Sequence, residues 1–388
     1  MTRPIRLLRA FLTVGGWTMA SRVLGFVRDI MIAAFLGSGI VAQAFLIAFS
    51  LPNMFRRFFA EGAFNAAFVP MFSKRLQADD APQVFARDAF SGLAAVLIVF
   101  TILAQLCMPW LVLAMASGFQ ADARFGLAVD YGRIAFPYIL FISLAALASG
   151  LLNALGRFAA AAAAPLLLNI ILVSAMVLAD RAGWDMGRTL ARSVPIAGIA
   201  QLALLWLACK RAGFTLIPQR PRLTPDMRRL AIIALPAALA GGVVQVNLLV
   251  GRQVASFFDG AVAWLSYADR LYQLPLGLVG VAIGVVLLPD LSRKLQASDE
   301  AGAQSAFNRA NEFSLALTLP AAVALVAIPL PLVSVLFERG AFSATDSTAT
   351  AAAVAIYGLG LPAFVLQKTV IPLFFFKCAN RYIDFFCR

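Results

Sequence analysis

The 388-residue sequence is 62% hydrophobic and only 13% charged, and its mean hydropathy is +0.86. This composition excludes an ordinary water-soluble domain, in which apolar residues make up about half of the chain. The formal net charge is +13, but the basic residues lie between apolar runs, where the loops of membrane proteins carry them, so nucleic acid is not an expected partner.

The apolar runs repeatedly reach the roughly 20 residues that a helix needs to cross the hydrocarbon core of a bilayer. Backbone groups in that core must satisfy their own hydrogen bonds, so each run is predicted to be helical. The sequence therefore predicts an all-α polytopic membrane protein with about ten transmembrane helices. The predicted spans are 10–36, 40–59, 90–116, 127–152, 159–179, 193–209, 230–250, 261–289, 313–336 and 349–376.

The longest polar interruption is the segment 210–229, which is rich in Lys, Arg and Pro. It predicts a boundary between an N-terminal six-helix lobe, 1–215, and an incomplete C-terminal lobe of about four helices, 216–388. The segments 69–76 and 288–295 share Pro, Ser, two basic residues and Leu in register, which indicates a parallel repeat. Most basic loops fall on one side, and the positive-inside rule then places the N-terminus in the cytoplasm.

The first span carries a polar stripe. Ser21, Gly25 and Arg28 are spaced i, i+4 and i+7, and Arg22 and Asp29 lie beside them on a helix. An arginine at mid-membrane costs roughly 2.5–3.5 kcal/mol on the insertion scale, so such a stripe is expected to face other helices or a wet cavity.

Two further spans add charged residues. The second span carries Arg56, and it has Arg57 and Glu61 one helical turn apart. The eighth contributes Asp269 and Arg270. One interpretation is that the charged groups of these spans form structural ion pairs, Arg28 with Asp29 and Arg57 with Glu61, or that some arginines reach the membrane surface.

The alternative interpretation is an anion site, because arginine exceeds acid on these faces. Guanidinium groups bind phosphate bidentately, and a lipid-linked pyrophosphate could place its head in the cavity and its tail in the bilayer. Enzyme chemistry is not expected, because the chain has no histidine and no Gly-rich phosphate loop. No catalytic residue, metal site or cofactor is predicted.

The motifs at 21–29, 51–53 and 55–64 closely resemble those of the MurJ (MviN) family of bacterial lipid II flippases, and 136–139, 267–271 and 288–289 also match. The resemblance implies a two-lobed fold of the multidrug/oligosaccharidyl-lipid/polysaccharide exporter type around a cationic cavity. It implies alternating access that moves the undecaprenyl-pyrophosphate-linked peptidoglycan precursor across the bacterial inner membrane. Lipid II and membrane lipids are the implied partners, and cell-wall synthesis proteins are possible ones.

The resemblance also implies roles for individual residues. The substrate-binding arginines would be Arg22, Arg28, Arg56, Arg57 and Arg270, with Arg28, Arg56 and Arg270 expected on the pyrophosphate. The acidic side chains of supporting ion pairs would be Asp29, Glu61 and Asp269.

Two departures from the family pattern stand out. Gln43 occupies a position where family members often carry an acid, and the sequence after about Lys368 no longer follows the family, which suggests a truncated or frame-shifted second lobe. Two other functions stay open at this stage. They are export of another polyprenyl-linked saccharide and a non-transporting scaffold for cell-wall enzymes.

Overall fold

The structure is a computed structural model, and it describes residues 7–56, 63–282 and 299–386. Within these ranges helices are the regular secondary structure, as expected of a chain whose backbone must satisfy its own hydrogen bonds in lipid. The chain forms two compact units, Met1–Ala263 and Trp264–Arg388. The lobe boundary near residue 215 stays a prediction.

The first unit contains most of the described helices. The connection between α5 and α6 is a short 3-10 helix, Ser117–Ala121. The helices are α1 (Leu7–Leu36), α2 (Ile40–Arg56), α3 (Ala63–Ala78), α4 (Pro82–Leu106), α5 (Met108–Ala116), α6 (Ala123–Ala135), α7 (Tyr138–Ala154), α8 (Phe158–Ala182), α9 (Met186–Arg211) and α10 (Pro225–Ala255).

The second unit begins within the next helix. Its described elements are α11 (Ala261–Ala282), α12 (Glu300–Ala327), α13 (Pro329–Phe337) and α14 (Ala344–Phe386). Tyr267 of α11 packs against the rings of Phe337 and Phe342. The Trp264 indole donates to Asp346 Oδ1 at 2.8 Å, which ties α11 to the start of α14.

Each predicted span coincides, in its described part, with one helix or with two consecutive helices. Six helical segments of the described chain are long and apolar enough to cross a membrane: Pro82–Leu106, Ala123–Ala154, Phe158–Ala182, Met186–Arg211, Gln304–Ala327 and Ala344–Gln367. The helix Ile40–Arg56 is apolar but shorter. The prediction of an all-α polytopic membrane protein is confirmed.

Three predicted spans contain a local break in the helix that hydropathy does not indicate. The runs 90–116, 127–152 and 313–336 are each divided, with breaks at Cys107, at Phe136–Pro137 and at Ile328. In each case a proline lies at or next to the start of the following helix. Proline lacks the N–H that would continue the hydrogen bonds of the preceding helix, so that helix ends there.

The linker 212–224 is fixed against the first unit. Gln83 and Arg87 of α4 both donate to the carbonyl of Thr215, at 2.8 and 2.9 Å. The backbone N–H of Gln219 donates to Ser91 Oγ at 2.9 Å. Beyond the linker, α10 packs on α3 and α5 of the same unit. The first copy of the predicted repeat, 69–76, lies within α3, and the second, 288–295, lies outside the described residues.

Close packing of α7 on α9 depends on a glycine. A β-carbon at Gly198 would lie 2.8 Å from Tyr138 Cδ2 and 3.0 Å from Phe141 Cβ. Tyr138 is itself buried and meets Gln201 of α9 at 3.3 Å. These rings have little room to move, because interiors are packed nearly as densely as organic crystals.

We expect Gly198→Ala to lower the free energy of unfolding by ~1–3 kcal/mol, the usual cost of overpacking a core. Thermal unfolding of the purified protein in detergent measures the change. Gly126→Ala on α6 is the control, because a β-carbon there meets no atom within 4 Å. The packing argument fails if the two variants unfold at the same temperature.

Candidate substrate site

Arg28 lies inside the first unit and is only 5% exposed. Its Nε and Nη2 donate to Oδ1 of Asp29, at 3.0 and 2.7 Å. Its guanidinium carbon lies 5.6 Å from the centre of the Phe49 ring on α2, within range of a cation–π contact. The predicted pairing of Arg28 with Asp29 is therefore present.

The third contact of Arg28 comes from α8, where Asn169 Oδ1 accepts from Nη1 at 2.9 Å. The Asn169 amide in turn donates from Nδ2 to the Ser21 carbonyl at 2.9 Å. Gly25 permits this approach, because a β-carbon there would lie 3.3 Å from Asn169 Nδ2. The polar stripe of α1 thus faces α8.

This arrangement leaves binding capacity on the guanidinium. Arginine has five N–H donors, one on Nε and two on each terminal nitrogen. Within the described chain Asp29 accepts from Nε and Nη2, and Asn169 accepts from Nη1. The remaining donor on each terminal nitrogen could bind an anion oxygen once the site opens. Asp29 and Asn169 meanwhile hold the plane of the guanidinium in one orientation.

The other predicted site residues are placed separately. Arg22 is exposed on α1, and Arg56 is half-buried at the end of α2. Arg270 is half-buried on α11 in the second unit, where the neighbouring Asp269 accepts from the Gln273 amide. Arg57 and Glu61 lie outside the described residues.

A second polar cluster surrounds Arg124 at the start of α6, and it joins the α1–α2 turn to the loop after α10. Arg124 is buried and donates from Nε to both carboxylate oxygens of Asp122, at 3.0 and 2.8 Å. Its Nη1 donates to Gln43 Oε1 at 3.0 Å and lies 3.6 Å from Asp259 Oδ1. Its guanidinium stacks 4.5 Å from the centre of the Phe119 ring.

The side chain of Gln43 is fully buried and links the two sides of this cluster. Its Nε2 donates to Asp259 Oδ1 at 3.0 Å and to the Ser38 carbonyl at 3.1 Å. We call the set Gln43, Asp122, Arg124 and Asp259 the Arg124 cluster. The Arg124 cluster lies near the C-terminal end of α1, because Ser38 and Gln43 directly follow that helix.

Hydrogen bonds between the 3-10 helix and α10 continue the Arg124 cluster. Ser117 N–H donates to Gln253 Oε1 at 3.0 Å, and Gly118 N–H donates to Ser256 Oγ at 3.0 Å. A β-carbon at Gly118 would lie 2.5 Å from the Ser256 backbone, so the two segments touch through their main chains. This end of the first unit is closed by polar contacts.

The sequence prediction missed Asn169 and the Arg124 cluster. A lone asparagine inside the apolar α8 was a usable signal, because an unpaired amide in lipid is costly. No periodicity in the sequence connects Arg124 to Asp259, which is far away in the chain.

Comparisons with known proteins place the chain in a family. The family model described as "Lipid II flippase MurJ" matches residues 32–380. A "Probable lipid II flippase MurJ" from Rhizobium meliloti is 49% identical over 382 residues, 97% of this chain and 71% of that relative. A "Lipid II flippase MurJ" from Burkholderia cenocepacia is 37% identical over 381 residues, 96% of this chain and 74% of that relative.

Solved structures agree with this placement. The structure titled "Lipid II flippase MurJ, inward closed conformation" superposes with a TM-score of 0.78 at 26% identity, over 92% of this chain and 74% of that one. An inward-facing multidrug resistance MATE family transporter of the MOP superfamily gives a TM-score of 0.67 at 12% identity, over 92% of this chain and 84% of that one. The second likeness concerns the fold alone, and it confirms the expected exporter fold.

We expect Asn169→Ala to lower the free energy of unfolding by ~1–3 kcal/mol, because a buried N–H of Arg28 loses its acceptor. Denaturant or thermal unfolding in detergent measures the loss. Asn153→Ala, an exposed asparagine at the end of α7, is the matched control. Equal stability of the two variants would contradict the role assigned to Asn169.

Acid should weaken the Arg124 cluster. The hydrogen bond from the Arg124 side chain holds the pKa of Asp122 below its ordinary value of 3.8. The folded state therefore favours the ionised Asp122 carboxylate. This carboxylate stabilises the fold at pH values above 3.8, and the stabilisation is lost as the pH falls through the lowered pKa. We expect the unfolding temperature of Asp122→Asn to fall less in acid than that of the parent chain.

The measurement for Asp122 is the unfolding temperature as a function of pH, from neutral pH to below the ordinary pKa. Asp180→Asn, which changes an exposed acid near the end of α8, is the control. If Asp122→Asn shows the same acid loss as the parent, the ion pair with Arg124 contributes nothing to stability.

Proposed function

The chain belongs to the lipid II flippase MurJ family, and on that premise we propose that it carries lipid II across the bacterial inner membrane by alternating access. The family is one of transporters and not of enzymes. We propose that this chain likewise breaks no covalent bond in its substrate. Identity to named relatives over nearly the whole chain is the observation that carries this proposal.

The pyrophosphate of the substrate is the group that we propose the arginines bind. Arg28 supports this because its hydrogen bonds to Asp29 and Asn169 use three of its five N–H donors within the described chain. The other two could bind the oxygens of a substrate. The plane of the guanidinium is held by Asp29 and Asn169, so little side-chain freedom is lost on binding. A pyrophosphate offers the planar, charged acceptors that a guanidinium fork binds best.

Access to Arg28 must change during transport, because in this structure it is almost completely buried. We propose that this conformation is a closed one, in which the arginine is neutralised within the protein. The hydrogen bonds of the Arg124 cluster, beyond the C-terminal end of α1, support this. Opening would expose the two unused donors of Arg28 to the substrate head.

The remaining predicted residues complete the proposed cationic cavity. We propose that Arg22, Arg56, Arg57 and Arg270 add positive charge for the pyrophosphate. The acids Asp29, Glu61 and Asp269 would keep these arginines neutralised when no substrate is bound. A charge placed in hydrocarbon without a partner is expensive, and the pairing lowers that cost in the empty protein.

A strain depleted of its own lipid II flippase tests the function. We expect this chain to restore growth and Arg28→Lys to fail at equal membrane levels, because lysine keeps the charge but loses the planar fork. Losing one hydrogen bond to a charged group weakens binding by ~1.5–3 kcal/mol, which is roughly 10- to 100-fold. Arg181→Lys, on the exposed end of α8, is the control.

Two outcomes would contradict the proposal at different levels. If the unmodified chain reaches the membrane and still fails to rescue, this chain does not by itself carry lipid II in that strain. If the Arg28→Lys chain rescues as well as the unmodified chain, transport does not depend on the guanidinium fork, and Arg28 serves the structure alone.

A further inference from the structure

An apolar groove runs along α9 on the first unit, away from Arg28 and the Arg124 cluster. Its volume is about 280 Å³. Ile199, Leu202 and Trp206 of α9 line it, together with Pro218 of the linker. From Ile199 to Trp206 the helix rises about 10 Å.

The shape of the groove is fixed by the linker. Trp206 Nε1 donates to the Leu216 carbonyl at 2.7 Å, which holds the indole against the chain that ends the groove. Arg87 Nε binds the carbonyl of the preceding residue, Thr215, at 2.9 Å. Both bonds tie the linker to side chains of α4 and α9, so they hold the linker beside the groove.

Basic side chains line the same end. Lys210 lies one turn beyond Trp206, and its Nζ is 5.6 Å from the centre of the indole ring. Lys210 and Arg211 are exposed, and Arg87 is half-buried beside the linker. Asp88, the residue that follows Arg87, is buried on α4.

We propose that this groove is a binding site for an anionic phospholipid, with one acyl chain in the groove and the phosphate on the basic end. The groove is lined by apolar side chains, so burying an acyl chain there removes apolar surface from contact with polar groups. Its length of about 10 Å along α9 suits part of one acyl chain.

Charge selects the lipid class. Basic pockets between transmembrane helices on the cytoplasmic side bind anionic headgroups, at about 1 kcal/mol for each Lys or Arg near the surface. The positive-inside rule puts this end of α9 on that side. A zwitterionic headgroup brings a choline cation along with its phosphate, so it offers Lys210 and Arg211 less net negative charge than an anionic headgroup does. The site lies within one unit and does not depend on the proposed transport of lipid II.

Quenching of Trp206 fluorescence by brominated acyl chains tests the site. We would retain Trp206 as the sole tryptophan and reconstitute the chain in phosphatidylcholine vesicles containing a minority of phosphatidylglycerol. Bromine is placed on one lipid or on the other at equal mole fraction. We expect bromine on phosphatidylglycerol to quench more, with about a fivefold local enrichment if one cation is engaged.

A second tryptophan gives the matched control. Trp110 on α5 is highly exposed and lines no part of the groove, so as a sole tryptophan it should be quenched alike by both lipids. Ala203 lines the groove and is exposed, so Ala203→Phe fills the space without removing packing. That variant should lower quenching of Trp206 by both lipids.

Charge removal separates the two halves of the proposal. Lys210→Ala with Arg211→Ala should abolish the preference for phosphatidylglycerol but leave quenching by phosphatidylcholine. Lys74→Ala, an exposed lysine on α3, should leave the preference unchanged. If the multiple tryptophan replacements prevent folding, the difference in quenching between the parent and Trp206→Phe gives the same comparison.

Three results would overturn the proposal. Equal quenching of Trp206 by the two lipids would show that the groove does not select charge. A preference that survives removal of Lys210 and Arg211 would place the headgroup elsewhere. An absence of quenching by either lipid would mean that no acyl chain enters the groove, and another occupant would then have to be sought.

Discussion

The structure of the first unit depends on how one positive charge is neutralised away from water. Arg28 lies almost completely buried on α1, and a buried charge left without a partner costs about 3–5 kcal/mol. Asp29 supplies the counter-charge from the same helix, while Asn169 supplies a hydrogen bond from α8. Helix packing and charge neutralisation are therefore one event here, because Gly25 lets α8 approach closely enough for Asn169 to reach.

Much of the fold could be predicted from the sequence, because the bilayer leaves few choices. A long apolar run must be helical, and all ten predicted runs fall on helices in their described parts. The divisions at Cys107, Phe136 and Ile328 were missed because hydropathy averages over a window and does not register a local break. The prolines that follow these breaks were the available signal.

The candidate site could be predicted only as far as local spacing reaches. The polar stripe of α1 was visible at helical spacing, and it correctly paired Arg28 with Asp29. The partner across the helix interface, Asn169, is 141 residues away in sequence, and no period in a single helix indicates which helix it faces. The burial of Arg124 could not be predicted for a related reason, because it comes from Phe119 stacking on the guanidinium and from the contact with Gln43.

The contacts of Gln43 restrict which other side chains can replace it. Its oxygen faces a guanidinium and its nitrogen faces both a carboxylate and a carbonyl, so the two ends of the amide can be distinguished by their partners. A carboxylate at that position could accept from Arg124 but would repel Asp259. An acid at position 43 and an acid at position 259 are thus poorly compatible in one chain, and each constrains the other's substitution.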